Sequence, residues 1–140
     1  MLELGVWSLM VTHHVKVYPS KVPLPKTEQL AWKLASVATD KAPVLPEVAG
    51  MVINRVIDNA SVAIAAINRT PVANARTQAL AHPRAEGASL FGMNPHQRVE
   101  CEWAAWANGV AVRELDMHDT FLAADYSHPG DNIPALLAVA

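Results

Sequence analysis

Residues 116–134, DMHDTFLAADYSHPGDNIP, gather carboxylates, imidazoles and hydroxyls within one short run. Asp116 and Asp119 are acids, His118 and His128 imidazoles, Thr120 and Ser127 hydroxyls. Histidine titrates near neutrality, and a partly buried carboxylate beside it tunes or orients it. Such a set suits proton transfer on a substrate that carries carboxylates of its own. Asp116 and His128 are the candidate catalytic pair, with Thr120, Asp119 and Ser127 as candidate substrate-binding groups. If the helix preceding the run continues past Leu115, Arg113, Asp116 and Thr120 fall three and four apart and share one face. His128, in a loop braced by Pro129, would then meet them at the mouth between helix end and loop. Plainer readings stand beside this one. Asp116 can simply pair with Arg113, acids and serines near helix ends often cap, and histidine beside proline is common in turns.

Metal ligation by His118, His128 and Asp119 is a further reading, but no compact two-histidine spacing of the zincin type is present, so no metal is expected. The single cysteine, Cys101, excludes an internal disulfide framework and a cysteine-held zinc or iron–sulfur cage, which fits a reducing cytoplasm. His13 and His14 sit in a tail, His96 in a loop, and His82 precedes Pro83 at a helix end where it meets the helix dipole. Trp103 and Trp106 are expected in the core rather than stacked on a ligand.

The elements that must position these groups are helical. The chain has 140 residues, 51% of them apolar and much of that alanine and valine, with few aromatics; this composition suits close-packed helices. Residues 1–26 read as an N-terminal tail and Pro-rich segment, and 27–140 as one helical region. The first twenty residues faintly resemble a signal peptide, but their start is acidic and their apolar run is broken, so a tail is expected. Thr27 is a candidate N-cap for a helix through EQLAWKLASVAT. Pro46 opens the next, whose apolar residues from Ala49 to Ile67 recur at steps of three and four. Thr70 and Pro71 open a third that ends before Pro83. RAEGASLFGMNPHQRVE is a turn-rich connection in which ASLF is a short extended piece. A fourth helix is predicted from about Val99 to Leu115, with Gly109 marking a close helix contact. Asp131 or Asn132 caps a last helix that reaches Ala140 without a stop signal, which reads as truncation. The expected class is all-α, with four or five helices and no alternating strand pattern.

Net charge is −2, from 11 Lys+Arg and 13 Asp+Glu, with no basic cluster beyond a local pair. No nucleic-acid surface is expected. The longest apolar runs fall short of the roughly 20 residues of a membrane span, so no membrane partner is expected.

EWAAWANGVAVRELDMHDTFLAADYSHPGDNIPALLAVA resembles the N-terminal part of the MmgE/PrpD family, and EQLAWKLASVA, VINRVIDNASVAIAA and ARTQALAHP match it in the same order. The resemblance covers about Thr27 to Ala140; its specific portion is HDTF…YSHPGDNIP. It implies a cofactor-independent lyase that dehydrates 2-methylcitrate to 2-methyl-cis-aconitate in propionate breakdown by the methylcitrate cycle. It also implies a large helical domain joined to a smaller α+β domain, the latter absent here, and a homodimer formed through the helical domain. In a related decarboxylase the motif carries an Asp, a Thr four residues on and then a His; these fall on Asp116, Thr120 and His128, with two extra residues before the His. A Lys and a His from further along the chain complete the family's site, so this piece is expected to be inactive alone. The competing readings are a non-catalytic helical dimerisation or interaction module, a cis-aconitate decarboxylase-like or epimerase member, and a chain whose second domain comes in trans.

Overall fold

The structure, a computed structural model, describes residues 18–122, 124 and 126–140. The expectations for the tail up to residue 17, His13 and His14 included, lie outside the described residues. Contacts divide the chain into two units, Met1–Pro43 and Val44–Ala140. The described part of the first holds a 3-10 turn, Lys26–Glu28, and helix α1, Leu30–Ala38. Its N-cap is Gln29 rather than Thr27, and it buries none of its residues.

The second unit holds α2 (Pro46–Ala65), α3 (Thr70–Leu80), β1 (Pro83–Ser89), β2 (Arg98–Val99), α4 (Cys101–Arg113), β3 (Phe121–Leu122), β4 (Tyr126–Ser127) and α5 (Ile133–Val139). Pro46 and Pro71 stand in the first turns of α2 and α3, where the missing N–H costs nothing. Helix α4 is central and packs against α2, α3, α5 and β1. Its inward face, Ala104, Ala107, Ala111 and Val112, is buried. One apolar cluster joins Ala75, Ala79, Leu90 and Val99 to Ala104 and Ala107; a second joins Ala63, Ala66 and Val72 to Ala111 and Val112. Alanines let the helix backbones approach closely, and the buried volume is correspondingly small.

Two antiparallel ladders make the fold mixed rather than strictly all-α: β1 with β2, and β3 with β4. The stretch expected as a turn-rich connection keeps its turns in the middle, but its two ends are strands, β1 and β2. Gly87 explains why the ladder forms there. A Cβ at that position would collide with the Val99 carbonyl, so only glycine allows the two backbones to meet at this irregular register. Val99 consequently lies in β2 and not in α4. Gly109 was expected at a close helix contact, yet a Cβ there would meet nothing. Trp103 packs against the first cluster, whereas Trp106 is 48% exposed, edge-on to Trp103. His82 stacks flat on Trp103 at 4.0 Å.

Buried polar groups tie the ladder to the helices. Asn108 of α4 accepts a hydrogen bond from the Phe91 N–H at 2.8 Å and donates to the Ser89 carbonyl at 3.0 Å. The buried Arg76 guanidinium of α3 donates to the Phe91 carbonyl. These bonds end β1 and fix the loop after it.

Apolar surface remains open on α2: Val48, Met51, Val52, Ile53, Ile57 and Ile64 are exposed. Among the described residues α2 alone is long and apolar enough to cross a membrane, by length and composition only. A patch of this extent favours association. The chain is therefore expected to self-associate at micromolar concentration in sedimentation velocity; a single monomeric species across the range would contradict this. Asn108→Leu leaves the Phe91 N–H and Ser89 carbonyl without partners, a loss of about 2 kcal/mol or more. Tm should fall by several degrees, and an unchanged Tm would show that the clip is not a determinant of stability.

Candidate functional site

Helix α4 stops at Arg113, and the chain does not carry the helical face onward to Asp116 and Thr120. Asp116 sits at φ 50°, in the left-handed region that aspartate enters more readily than most residues. Its N–H donates to the Arg113 carbonyl at 3.1 Å, closing the end of the helix, and its carboxylate lies 2.9 Å from Arg113 Nη1. The ion pair named among the plainer readings is therefore formed. The backbone then turns, so the residues after Asp116 leave the helix axis.

From there the chain runs through 118–120, crosses the β3–β4 ladder and returns at 128–131. The return is tied down at three points. His128 Nδ1 lies 2.7 Å from the Asp119 carbonyl oxygen. The Gly130 N–H donates to Asp119 Oδ1 at 3.0 Å. His118 Nε2 lies 2.8 Å from Asp131 Oδ1. Gly130 is required at this crossing, because a Cβ there would strike the Asn59 amide and the Asp119 carboxylate.

Hydrogen-bond chemistry fixes which nitrogens carry protons. A carbonyl oxygen only accepts, so His128 Nδ1 bears hydrogen and, in the neutral ring, Nε2 keeps its lone pair. Asp131 as carboxylate likewise takes the Nε2–H of His118. Arg113 Nη1, 3.4 Å from that nitrogen and 3.8 Å from Asp131 Oδ1, has only donors and serves the two carboxylates.

Of the candidate residues, the structure brings together Thr120, Asp119 and His128. Thr120 Oγ1 is 3.5 Å from His128 Nδ1, and the hydroxyl is exposed. Asp119 is buried, and its side chain serves the Gly130 N–H and so faces inward rather than toward a bound molecule. Ser127 is exposed in β4. Asp116 is not brought to His128; its carboxylate serves Arg113, and the contact that orients His128 is the Asp119 backbone carbonyl.

Three participants escaped the sequence reading of this cluster. His118 had been weighed only as a metal ligand, yet its side chain is 0% exposed and its ring lies 4.9 Å from that of His128. Asp131 had been weighed as a helix cap. Asn59 of α2 is 1% exposed, and neither its Oδ1 nor its Nδ2 finds a partner; the same holds for His118 Nδ1. The pattern HD at 118–119 facing GD at 130–131 was the available signal, because two adjacent pairs bonded in antiparallel fashion imply a closed loop. Among the described residues no group of three or more His, Cys, Asp and Glu side chains is arranged to hold a metal ion.

Cys101 is not an alternative nucleophile. Its Sγ–H donates to Glu102 Oε2 at 3.0 Å, and this bond pushes the thiol above its ordinary range. The same bond holds the Glu102 carboxyl below its usual value. The thiolate, which is the reactive form, is thereby disfavoured. Glu102→Gln should lower the thiol's pKa and speed iodoacetamide alkylation several-fold at mildly alkaline pH; equal rates would show that Glu102 does not restrain the thiol.

Comparison with known families adds an independent observation. No solved structure gives a significant match to the chain. The profile of the MmgE/PrpD N-terminal domain, which points to lyase-type chemistry, matches residues 28–140. That match spans α1 to α5 and takes in Arg113, His118, Asp119, Thr120, His128 and Asp131, and on its strength the chain belongs to the MmgE/PrpD family through the family's N-terminal domain.

Proposed function

We propose that this chain contributes proton-transfer and substrate-binding groups to a cofactor-independent hydro-lyase that dehydrates 2-methylcitrate to 2-methyl-cis-aconitate. The observation that carries the reading is the tautomer of His128. With Nδ1–H committed to the Asp119 carbonyl, Nε2 keeps the lone pair that a general base requires.

In the reaction, the C–H beside a substrate carboxylate loses its proton to His128 Nε2. The electron pair left on carbon forms the double bond, and the neighbouring hydroxyl departs with a proton as water. The His128 imidazolium, relayed through the hydroxyl or solvent, is the nearest proton source for that departure. Thr120, exposed beside the ring, donates a hydrogen bond to a substrate carboxylate or hydroxyl. Ser127, exposed one residue before His128, is a second hydroxyl for the same purpose. Asp119 acts at one remove, through its carbonyl on His128 and its carboxylate on Gly130. Asp116 keeps the Arg113 guanidinium at the rim, where that cation partly offsets the negative charge of a tricarboxylate.

The likeness of HDTF…YSHPGDNIP to the family supports 2-methylcitrate as the substrate. It also supports a further Lys and His as partners in the site, and a homodimer joined through the helical region is the assembly proposed with it. Cytoplasmic residence accords with the single cysteine.

The test is turnover of 2-methylcitrate by the chain assembled with the further Lys and His of the site, followed by the ultraviolet absorbance of the conjugated alkene; the 140 residues alone are expected to be inactive. Dehydration by the assembly is expected, and His128→Ala should lower kcat by about 10²–10⁴-fold. Thr120→Ala should act mainly on KM. An unchanged rate in His128→Ala would remove His128 from the chemistry, and no dehydration by the unaltered assembly would remove the substrate.

A further inference from the structure

We propose that His118 is a positioning residue for His128, acting through its hydrogen bond to Asp131; the inference rests on His128 as the proton-transfer group. The His128–Asp119 bond can form only if the returning loop lies against residues 118–120. Two other bonds hold it there, Asp119 Oδ1 with the Gly130 N–H and His118 Nε2 with Asp131 Oδ1. The second joins the far end of the loop to a side chain that is wholly buried.

A ring buried only to fill space would be better apolar. His118 keeps an Nδ1 without a partner, and a buried polar atom left unpaired is destabilising. The histidine is explained by what its other nitrogen holds. Arg113 completes the arrangement, standing 2.9 Å from Asp116 and 3.8 Å from Asp131. Its guanidinium stands beside both carboxylates and helps to hold Asp131 where it accepts from His118 Nε2. On the opposite side, the Asn59 amide abuts Gly130, so the loop is confined between α2 and the His118 ring. That ring also touches His128, at 4.9 Å between centroids and 42° between planes, limiting the directions in which Nε2 can point.

The test is long-range nitrogen–proton NMR of the imidazoles in the 140-residue chain, which reads the tautomer without substrate. His118→Phe keeps the ring volume and removes the donor. It should convert His128 from a single Nδ1–H form to a mixture of tautomers. Asp131→Ala should do the same, and the double variant should add nothing further, as expected for two residues acting through one bond. His118→Gln, whose amide N–H₂ can reach Asp131, should restore the Nδ1–H form. If His118→Phe does not fold, Asp131→Ala and His118→Gln decide the matter. A His128 that keeps its single tautomer in a folded Asp131→Ala chain would overturn the proposal, as would additive effects in the double variant. Because no turnover is measured, a failure of the dehydratase reading leaves these spectra unchanged and the two outcomes remain separable.

Discussion

The bond from His128 Nδ1 to the Asp119 carbonyl is the constraint on which the rest of the site depends. It joins residues nine apart in sequence and selects one tautomer of an imidazole. A backbone carbonyl is suited to this task. Unlike a carboxylate it cannot be protonated in the working range, and unlike a side chain it cannot rotate away while the chain on either side is held. The chain is held on both sides: by the left-handed turn at Asp116 and its Arg113 pair, and by the Gly130 and Asp131 bonds beyond.

The scaffold under this loop is thin. Among the largest fully buried side chains are Val72, Val99 and Val112, together with Asn59 and Pro134. A core of alanine and valine buries little apolar area per residue, so each residue contributes less than a leucine or phenylalanine would. Polar ties carry more of the specification than usual. Asn108 clips β1 to α4, Arg76 holds the carbonyl of Phe91, and the His118–Asp131 pair fixes the loop. Meanwhile one side of α2 leaves valine, methionine and isoleucine side chains open. The chemistry-bearing loop thus sits on a helical unit with much of its apolar surface uncovered.

The helices were legible because their signals are local. Prolines at the first turns of α2 and α3 and three-and-four spacing along α2 mark their course from sequence alone. The β1–β2 ladder was not legible, because its determinant is the absence of a side chain at Gly87, which has meaning only beside Val99. Gly109 misled for the converse reason: a helical glycine need not mark a contact. In the site, His128, Thr120 and Asp119 could be read as neighbours from their residue types. The helix continuation that was to align Asp116 with Thr120 fails at a single left-handed residue, and no periodicity reports that. Asn59 and His118 were harder still, since their burial follows from tertiary packing around Gly130.

A crystal structure of the 140-residue chain tests the central claim most directly, through the distance between His128 Nδ1 and the Asp119 carbonyl oxygen. Hydrogen-bonding contact between them, with the Gly130 and Asp131 bonds in place, is the expected result. A loop folded away from residues 118–120, with the His128 ring turned into solvent and its Nδ1 bonded elsewhere, would contradict it.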